Sequence, residues 1–314
     1  MSVNLKQFWL ILCLWGCALS LVACTAADFP NGKKQVTPAL GQRLFLQAGD
    51  GVELPVYRWQ PPGKVRGNLL LLHGFNEYSG AFAEVGEAFA RQGISVWAYD
   101  QRGFGRSAHR GLWAGAERMA QDAREMAALI RKTEPDLPLT LLGMSMGGAV
   151  ALLAAGEEMA ADAVVLVAPA VWTRETQPFY QRWALDVAKT IAPAWSPTGE
   201  GLKIRPSDNI AMLRRIWQSP WMIRQSRMDT VAGLVALMDK GYAAAPEMTV
   251  PVLLLYGDHD ELVPEKPVNL LWERLPKQGN TRQIRYKNGW HMLMRDLQGK
   301  KVISDIVQWV PGVP

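Results

Sequence analysis

Beyond residue 24 the chain contains no cysteine; its three, Cys13, Cys17 and Cys24, all fall at the amino terminus. The folded body therefore holds no disulfide, no thiolate metal site and no thiol nucleophile. No run of basic residues exceeds two, and the formal charge of +5 comes from 34 bases and 29 acids scattered along 314 residues. That pattern lacks the basic stripe of a nucleic-acid-binding surface, so no nucleic-acid partner is expected. The four histidines, His73, His109, His259 and His291, include no pair at helical or strand spacing, so no metal is expected either. Internal repeats and low-complexity stretches are also missing. What remains is 49% apolar and 20% charged, the balance of a folded globular chain. The length suits one large α/β domain or two of ordinary size.

The amino terminus reads as an address. After one lysine, Phe8 to Ala23 is almost wholly apolar. That run is shorter than the ~20 residues of a spanning helix but fits the core of a signal peptide. Leu21-Val22-Ala23-Cys24 resembles the lipobox of bacterial lipoproteins. The resemblance implies cleavage before Cys24, lipidation of that cysteine and anchoring to a membrane of the bacterial cell envelope, facing the periplasm. An uncleaved anchor and an ordinary cleaved signal peptide are the alternatives. Residues 1–23 are thus read as a signal peptide, 24–40 as a lipidated tether interrupted by Pro30, Gly32 and Pro38, and 41–314 as the folded domain.

Within that domain short apolar runs alternate with helical patterns. Leu69–Leu72, Ile94–Tyr99, Leu139–Leu142, Val164–Val167 and Val252–Leu255 predict strands buried on both faces. Ala81–Gln92 and Met119–Arg131 carry helical periodicity between them. Such alternation predicts an α/β fold whose mostly parallel sheet is covered by helices on both sides. Arg43–Gln47 and Val52–Trp59 predict an antiparallel start to the sheet. The rhythm fails over about residues 171–248, where Trp172, Trp183, Trp195, Trp217 and Trp221 gather without a clear buried strand. This stretch reads as an inserted helical cap; its tryptophans suit either a pocket lining or ordinary core aromatics.

Gly143-Met144-Ser145-Met146-Gly147 fits G-x-S-x-G between a predicted strand and a helix over Gly148–Met159. Such a turn lifts Ser145 clear of the sheet on strained backbone, and a Cβ at either glycine would collide with neighbouring chain. A serine nucleophile needs a base. His291 is the choice, in a loop between the strand-like Thr281–Lys287 and a last helix over Leu297–Val310. His73 suits the shaping of an oxyanion loop better than proton transfer, and His109 suits the surface. The acid that orients His291 should lie at a strand end between the two; Asp258 and Asp260 both qualify. Oxyanion donors are expected from the backbone N–H of Met146 and from the loop after Leu69–Leu72, at Phe75. Gly103-Phe104-Gly105-Arg106-Ser107-Ala108 fits a dinucleotide fingerprint, but the following His109-Arg110-Gly111 cannot open a helix, so no cofactor is expected.

Taken together, His73–Gly80, Asp100–Ser107, Gly143–Gly147, Gly257–Asp260 and His291 resemble the monoacylglycerol lipase and lysophospholipase group of α/β-hydrolases, over about residues 41–312. The resemblance implies the α/β-hydrolase fold and chooses Asp260 as the acid. It places one oxyanion amide at Phe75, a bulkier residue than that family leads one to expect. It implies a serine carboxylic ester hydrolase acting on single-chain lipids, with Ser145, Asp260 and His291 as the catalytic set, no cofactor and no protein partner. Two other readings stay open: an exported serine aminopeptidase of the same fold, which would use cap carboxylates such as Glu175, Asp186, Asp208 or Asp229, and a non-catalytic envelope binding protein.

Overall fold

The chain enters the fold through three antiparallel strands, β1 (Ala39–Leu40), β2 (Phe45–Gln47) and β3 (Glu53–Trp59), where the residue pattern predicts such a start. The protein is seen here as a computed structural model, which describes residues 26–30, 32, 36–41, 44–155, 159–198 and 203–312. Then come β4 (Gly67–Leu72), β5 (Ile94–Tyr99), β6 (Leu139–Met144), β7 (Ala163–Val167) and β8 (Val252–Gly257), in which every residue is buried. The edge strand β9 (Arg282–Tyr286) is only partly covered. The strands form one mixed sheet in the order β1-β2-β3-β5-β4-β6-β7-β8-β9, parallel from β5 to β9.

Alternation along each strand divides the core in two. Leu70 and Leu72 face one apolar cluster while Leu69 and Leu71 face the other. Helices α1 (Ala83–Arg91), α2 (Ala116–Thr133) and α3 (Met146–Ala155) follow β4, β5 and β6. Between β7 and β8 lie three more: α4 (Phe179–Ile191), α5 (Ile210–Gln218) and α6 (Met228–Ala244). Helix α7 (Glu265–Arg274), which no motif announces, and α8 (Gly299–Trp309) complete the chain. The protein has the α/β-hydrolase fold. Helix α6 packs on α3, and Gly241 allows the approach, since a Cβ there would lie 2.6 Å from the Ala149 carbonyl. Helix α4 packs on α6 in turn, the third layer away from the sheet.

One expectation needs correction. Reading the protein as a membrane lipoprotein is overturned for the described residues, among which no helix is long and apolar enough to cross a membrane. The apolar segment and Cys24, on which signal peptide, lipidation and envelope anchoring rest, lie outside the described residues.

Candidate active site

In a parallel sheet the carboxyl ends of the strands share one edge, so the loops after β4, β6, β8 and β9 meet there. Ser145, directly after β6, has φ of +53°. A non-glycine residue held in this left-handed region costs roughly 1–2 kcal/mol, and the surroundings must enforce it. Here the Ser145 N–H donates to the Val167 carbonyl at 3.0 Å, and its own carbonyl accepts from Gly148 N at 2.8 Å and Ala170 N at 2.9 Å. Both glycines of the motif are needed. A Cβ on Gly143 would stand 2.2 Å from the Gly147 carbonyl oxygen, and one on Gly147 would stand 2.2 Å from that of Leu72. Helix α3 begins at Met146, two residues earlier than periodicity predicts, and the Ser145 carbonyl accepts the Gly148 and Ala149 amides of its first turn at 2.8 and 3.3 Å. The Met146 N–H therefore belongs to the first helical turn, where amides lack intrahelical acceptors and carry partial positive charge.

The loop after β4 is aimed by His73. Its Nε2 accepts the Gln101 N–H at 3.0 Å, which leaves the proton on Nδ1, 2.8 Å from the Gly74 carbonyl. The Glu77 N–H adds a longer bond of 3.3 Å to the same oxygen. Since the peptide is planar and trans, anchoring the Gly74 oxygen turns the Phe75 N–H the opposite way. Gly74 itself lies against Ser145: a Cβ built there would be 3.4 Å from Ser145 Cβ. Phe75 packs edge-on against Phe104 at 5.5 Å, which holds its bulk aside from the backbone. His73 is fully buried, and burial holds its imidazole pKa below the ordinary value. Both nitrogens are engaged by a donor and an acceptor, so this is a neutral structural histidine.

The structure brings His291 and Asp260 together. His291 Nδ1 lies 2.8 Å from Asp260 Oδ2, and the Asp260 side chain is wholly buried. Asp260 Oδ1 accepts two backbone amides, Leu262 N at 2.8 Å and Val263 N at 2.9 Å. The carboxylate is thus held as an acceptor on both oxygens, and the His291 ring proton sits on Nδ1, leaving the Nε2 lone pair open. Asp258 is elsewhere: it is exposed and takes the Arg285 guanidinium at 2.7 Å. Ser145 Oγ forms no hydrogen bond to the imidazole in this arrangement; in free enzymes such bonds are commonly long and tighten on substrate binding. His109 is exposed and stacks edge-on with Phe29, and His259 is exposed beside Trp290. Residues 102–112 are turns and bends, so the dinucleotide-like motif opens no helix.

Two supports escape sequence reasoning. Arg295 Nη2 donates to Glu77 Oε1 at 2.6 Å, a buried ion pair joining the loop after β4 to the loop that carries His291. Asp296 accepts the Trp290 N–H at 2.8 Å and the Ser207 hydroxyl at 2.6 Å, fixing the base of the His291 loop to the cap. The only local signal is charge standing inside apolar surroundings: Glu77 four residues after His73, and Arg295 four after His291. The cap tryptophans divide, with Trp172 packed against the core. Trp183, Trp195 and Trp217 are 68%, 58% and 53% exposed, whereas Trp172 and Trp221 are half-buried. A groove of about 840 Å³ along α2, lined by Gln121, Glu125, Leu129 and Lys132 among others, contains none of the catalytic candidates.

Comparison with known proteins agrees with this geometry. A family model described as serine aminopeptidase, S33, matches residues 63–298. Human monoglyceride lipase is 29% identical over 277 residues, covering 84% of this chain and 89% of that protein. Monoacylglycerol lipase of Mycolicibacterium smegmatis is 25% identical over 285 residues, 88% of this chain and 98% of its own. Among solved structures, monoacylglycerol lipase of Paleococcus ferrophilus superposes with a TM-score of 0.68 at 25% identity, covering 82% of this chain and 98% of that one. A carboxyl esterase of Bacillus coagulans, at 20% identity and a TM-score of 0.72 over 87% and 98% of the two chains, shares the fold.

Proposed function

The chain belongs to the serine aminopeptidase, S33, family, as a serine-hydrolase-type esterase related to monoacylglycerol lipases, and from that premise we propose that it cleaves the carboxylic ester of single-chain lipids, monoacylglycerols or lysophospholipids, through an acyl-enzyme on Ser145. The observation that carries the reading is the buried Asp260–His291 bond of 2.8 Å on the same sheet edge as the left-handed Ser145. In this scheme His291 Nε2 takes the Ser145 proton while Oγ attacks the ester carbonyl. The amides of Phe75 and Met146 hold the developing oxyanion; one such donor is worth about 3 kcal/mol in known hydrolases. Protonated His291 then gives its proton to the leaving alcohol, and water activated by the same imidazole hydrolyses the acyl-enzyme. Asp260 keeps the tautomer and stabilises the imidazolium.

Support for a single-chain lipid substrate comes from the relatives' names and from the aromatic exposure of the cap. The aminopeptidase alternative loses ground on the cap carboxylates that would hold a free amine. Asp186 is paired with Arg174 and Lys189, Asp229 with Arg227, and Asp208 accepts the Leu297 N–H. Glu175 stands exposed. Ser145→Ala should lower kcat on a monoacylglycerol by about 10⁶-fold, the scale seen when a triad nucleophile is removed. The wild-type protein should hydrolyse the monoacylglycerol and leave an aminoacyl-β-naphthylamide intact. Retained ester turnover by Ser145→Ala, or the opposite substrate preference, sinks the proposal.

A further inference from the structure

Among the described residues, the hydrogen bonds between the cap and the loop after β4 converge on one residue. Asn76, next after Phe75, has φ of +64°, a conformation that glycine adopts freely and an asparagine only at a cost. An asparagine serving such a turn alone bonds its own loop. This one reaches into the cap: its Nδ2 donates to Ser226 Oγ at 2.8 Å across 150 residues of sequence, and its carbonyl accepts the Ile223 N–H at 3.0 Å. Asn76 Oδ1 is buried without a partner, so the bond to Ser226 is what holds the carboxamide.

The cap segment that meets Asn76 is itself pinned to the body. Arg110 donates to the Pro220 carbonyl at 2.6 Å, and Arg106 and Arg110 lie 5.1 and 5.8 Å over the Trp221 ring. The Thr230 hydroxyl donates to the Gly111 carbonyl at 2.9 Å. At the far end of α5, Pro206 accepts the Met292 N–H at 2.9 Å, and Asn209 Nδ2 donates to the Arg295 carbonyl at 3.0 Å. Helix α5, with Met212 and Ile216 buried, thus stands between the loop of His291 and the loop of Phe75. We propose that α5 is a strut between the two catalytic loops and that Asn76 is a positioning residue, through which the cap sets the Gly74–Phe75 peptide of the oxyanion hole. The inference rests on the esterase reading above. It makes the cap part of the catalytic frame as well as a cover for substrate.

A short p-nitrophenyl ester tests it, because so small an acyl group needs little from the cap for binding. Ser226→Ala and Asn76→Gly, which keeps the left-handed backbone, should each lower kcat by about fivefold, the scale of one hydrogen bond. KM should stay within about twofold of wild type, the double variant should lose little beyond either single one, and Ser226→Thr should restore kcat. Hydrogen exchange over residues 73–78 should rise in both single variants. Unchanged kcat, an effect confined to KM, or losses that multiply in the double variant would overturn the proposal. Should the wild-type protein turn over no ester, the functional reading fails separately. Exchange over 73–78 then decides the joint alone: a rise in Ser226→Ala supports it, and no change overturns it.

Discussion

Helices α3 and α4 are of similar length and in opposite circumstances. Nine of the ten residues of α3 are buried, and its first turn holds Ser145 and Met146 between β4, β6 and α6. None of the thirteen residues of α4 is buried, and Phe179 and Trp183 are 74% and 68% exposed. The first helix is apolar all round, as a helix enclosed on every side must be; the second is amphipathic and packs on α6. The difference separates two tasks. Around the nucleophile, backbone packs against backbone and a shift of a few tenths of an ångström is felt by the reacting atoms. In α4 the aromatic side chains Phe179, Tyr180 and Trp183 are mostly exposed, so the fold should tolerate their replacement by other helix formers.

The largest effect should follow from one methyl group at the α3 end. A Cβ on Gly147 would lie 2.2 Å from the Leu72 carbonyl oxygen and 2.9 Å from that of His73, and both are backbone atoms with no rotamer to yield. Gly147→Ala should therefore cost about 3 kcal/mol in urea unfolding, the upper range for overpacking. Turnover of a short ester should fall by about 100-fold, because the atoms displaced carry the oxyanion loop. Wild-type stability in this variant would break the comparison at its rigid pole.

Legibility in the sequence divides along the same line. The sheet could be read because strands buried on both faces must be apolar throughout, as in Leu69–Leu72 and Val252–Leu255. The elbow could be read because its geometry demands glycine at both 143 and 147. Choosing between Asp258 and Asp260 was beyond periodicity, since both sit in one turn; the burial of Asp260 and the exposed pairing of Asp258 with Arg285 separate them. The long-range polar joints around the site could not be read. Asn76–Ser226, Asp296–Ser207 and Glu77–Arg295 join residues 150, 89 and 218 positions apart, and each pair is chemically ordinary in its own stretch. A polar contact made at long range leaves no period behind.

Ion pairs repeat the contrast and give an intermediate effect. Arg102, wholly buried, takes Asp50 with two bonds of 2.7 Å and also binds Asp122. Burial would raise the Asp50 carboxyl, but the hydrogen bonds and charge of Arg102 outweigh it and hold the pKa below 3.8. A carboxyl depressed on folding stabilises above its unfolded value and loses that contribution as pH falls through the folded one. Asp50→Asn should thus cost about 2 kcal/mol at pH 7, and the gap to wild type should narrow as the pH falls through the lowered folded value. On α4, Arg174 and Lys189 hold Asp186 at about 2, yet the pair is more than a third exposed. Asp186→Asn should move Tm by about a degree or less, and added salt should erase even that. A gap for Asp50→Asn that persists to pH 2 would show that packing and not charge holds that corner.

The smallest effect on stability should come from α4 itself, and there the two poles can be told apart by function. Trp183 is exposed, so Trp183→Ala should alter the unfolding free energy by no more than about 0.5 kcal/mol. In the proposed lipid reading this exposed ring is available to an acyl chain lying along the cap, where burying one methylene is worth about 0.8 kcal/mol. Trp183→Ala should therefore raise KM severalfold for a long-chain monoacylglycerol while leaving kcat and all parameters for a short p-nitrophenyl ester unchanged. That split is the reverse of the one expected for Ser226→Ala, where kcat on the short ester falls and KM holds. If both variants changed the same constant on the same substrate, the cap would act as a single body and the distinction between strut and cover would go.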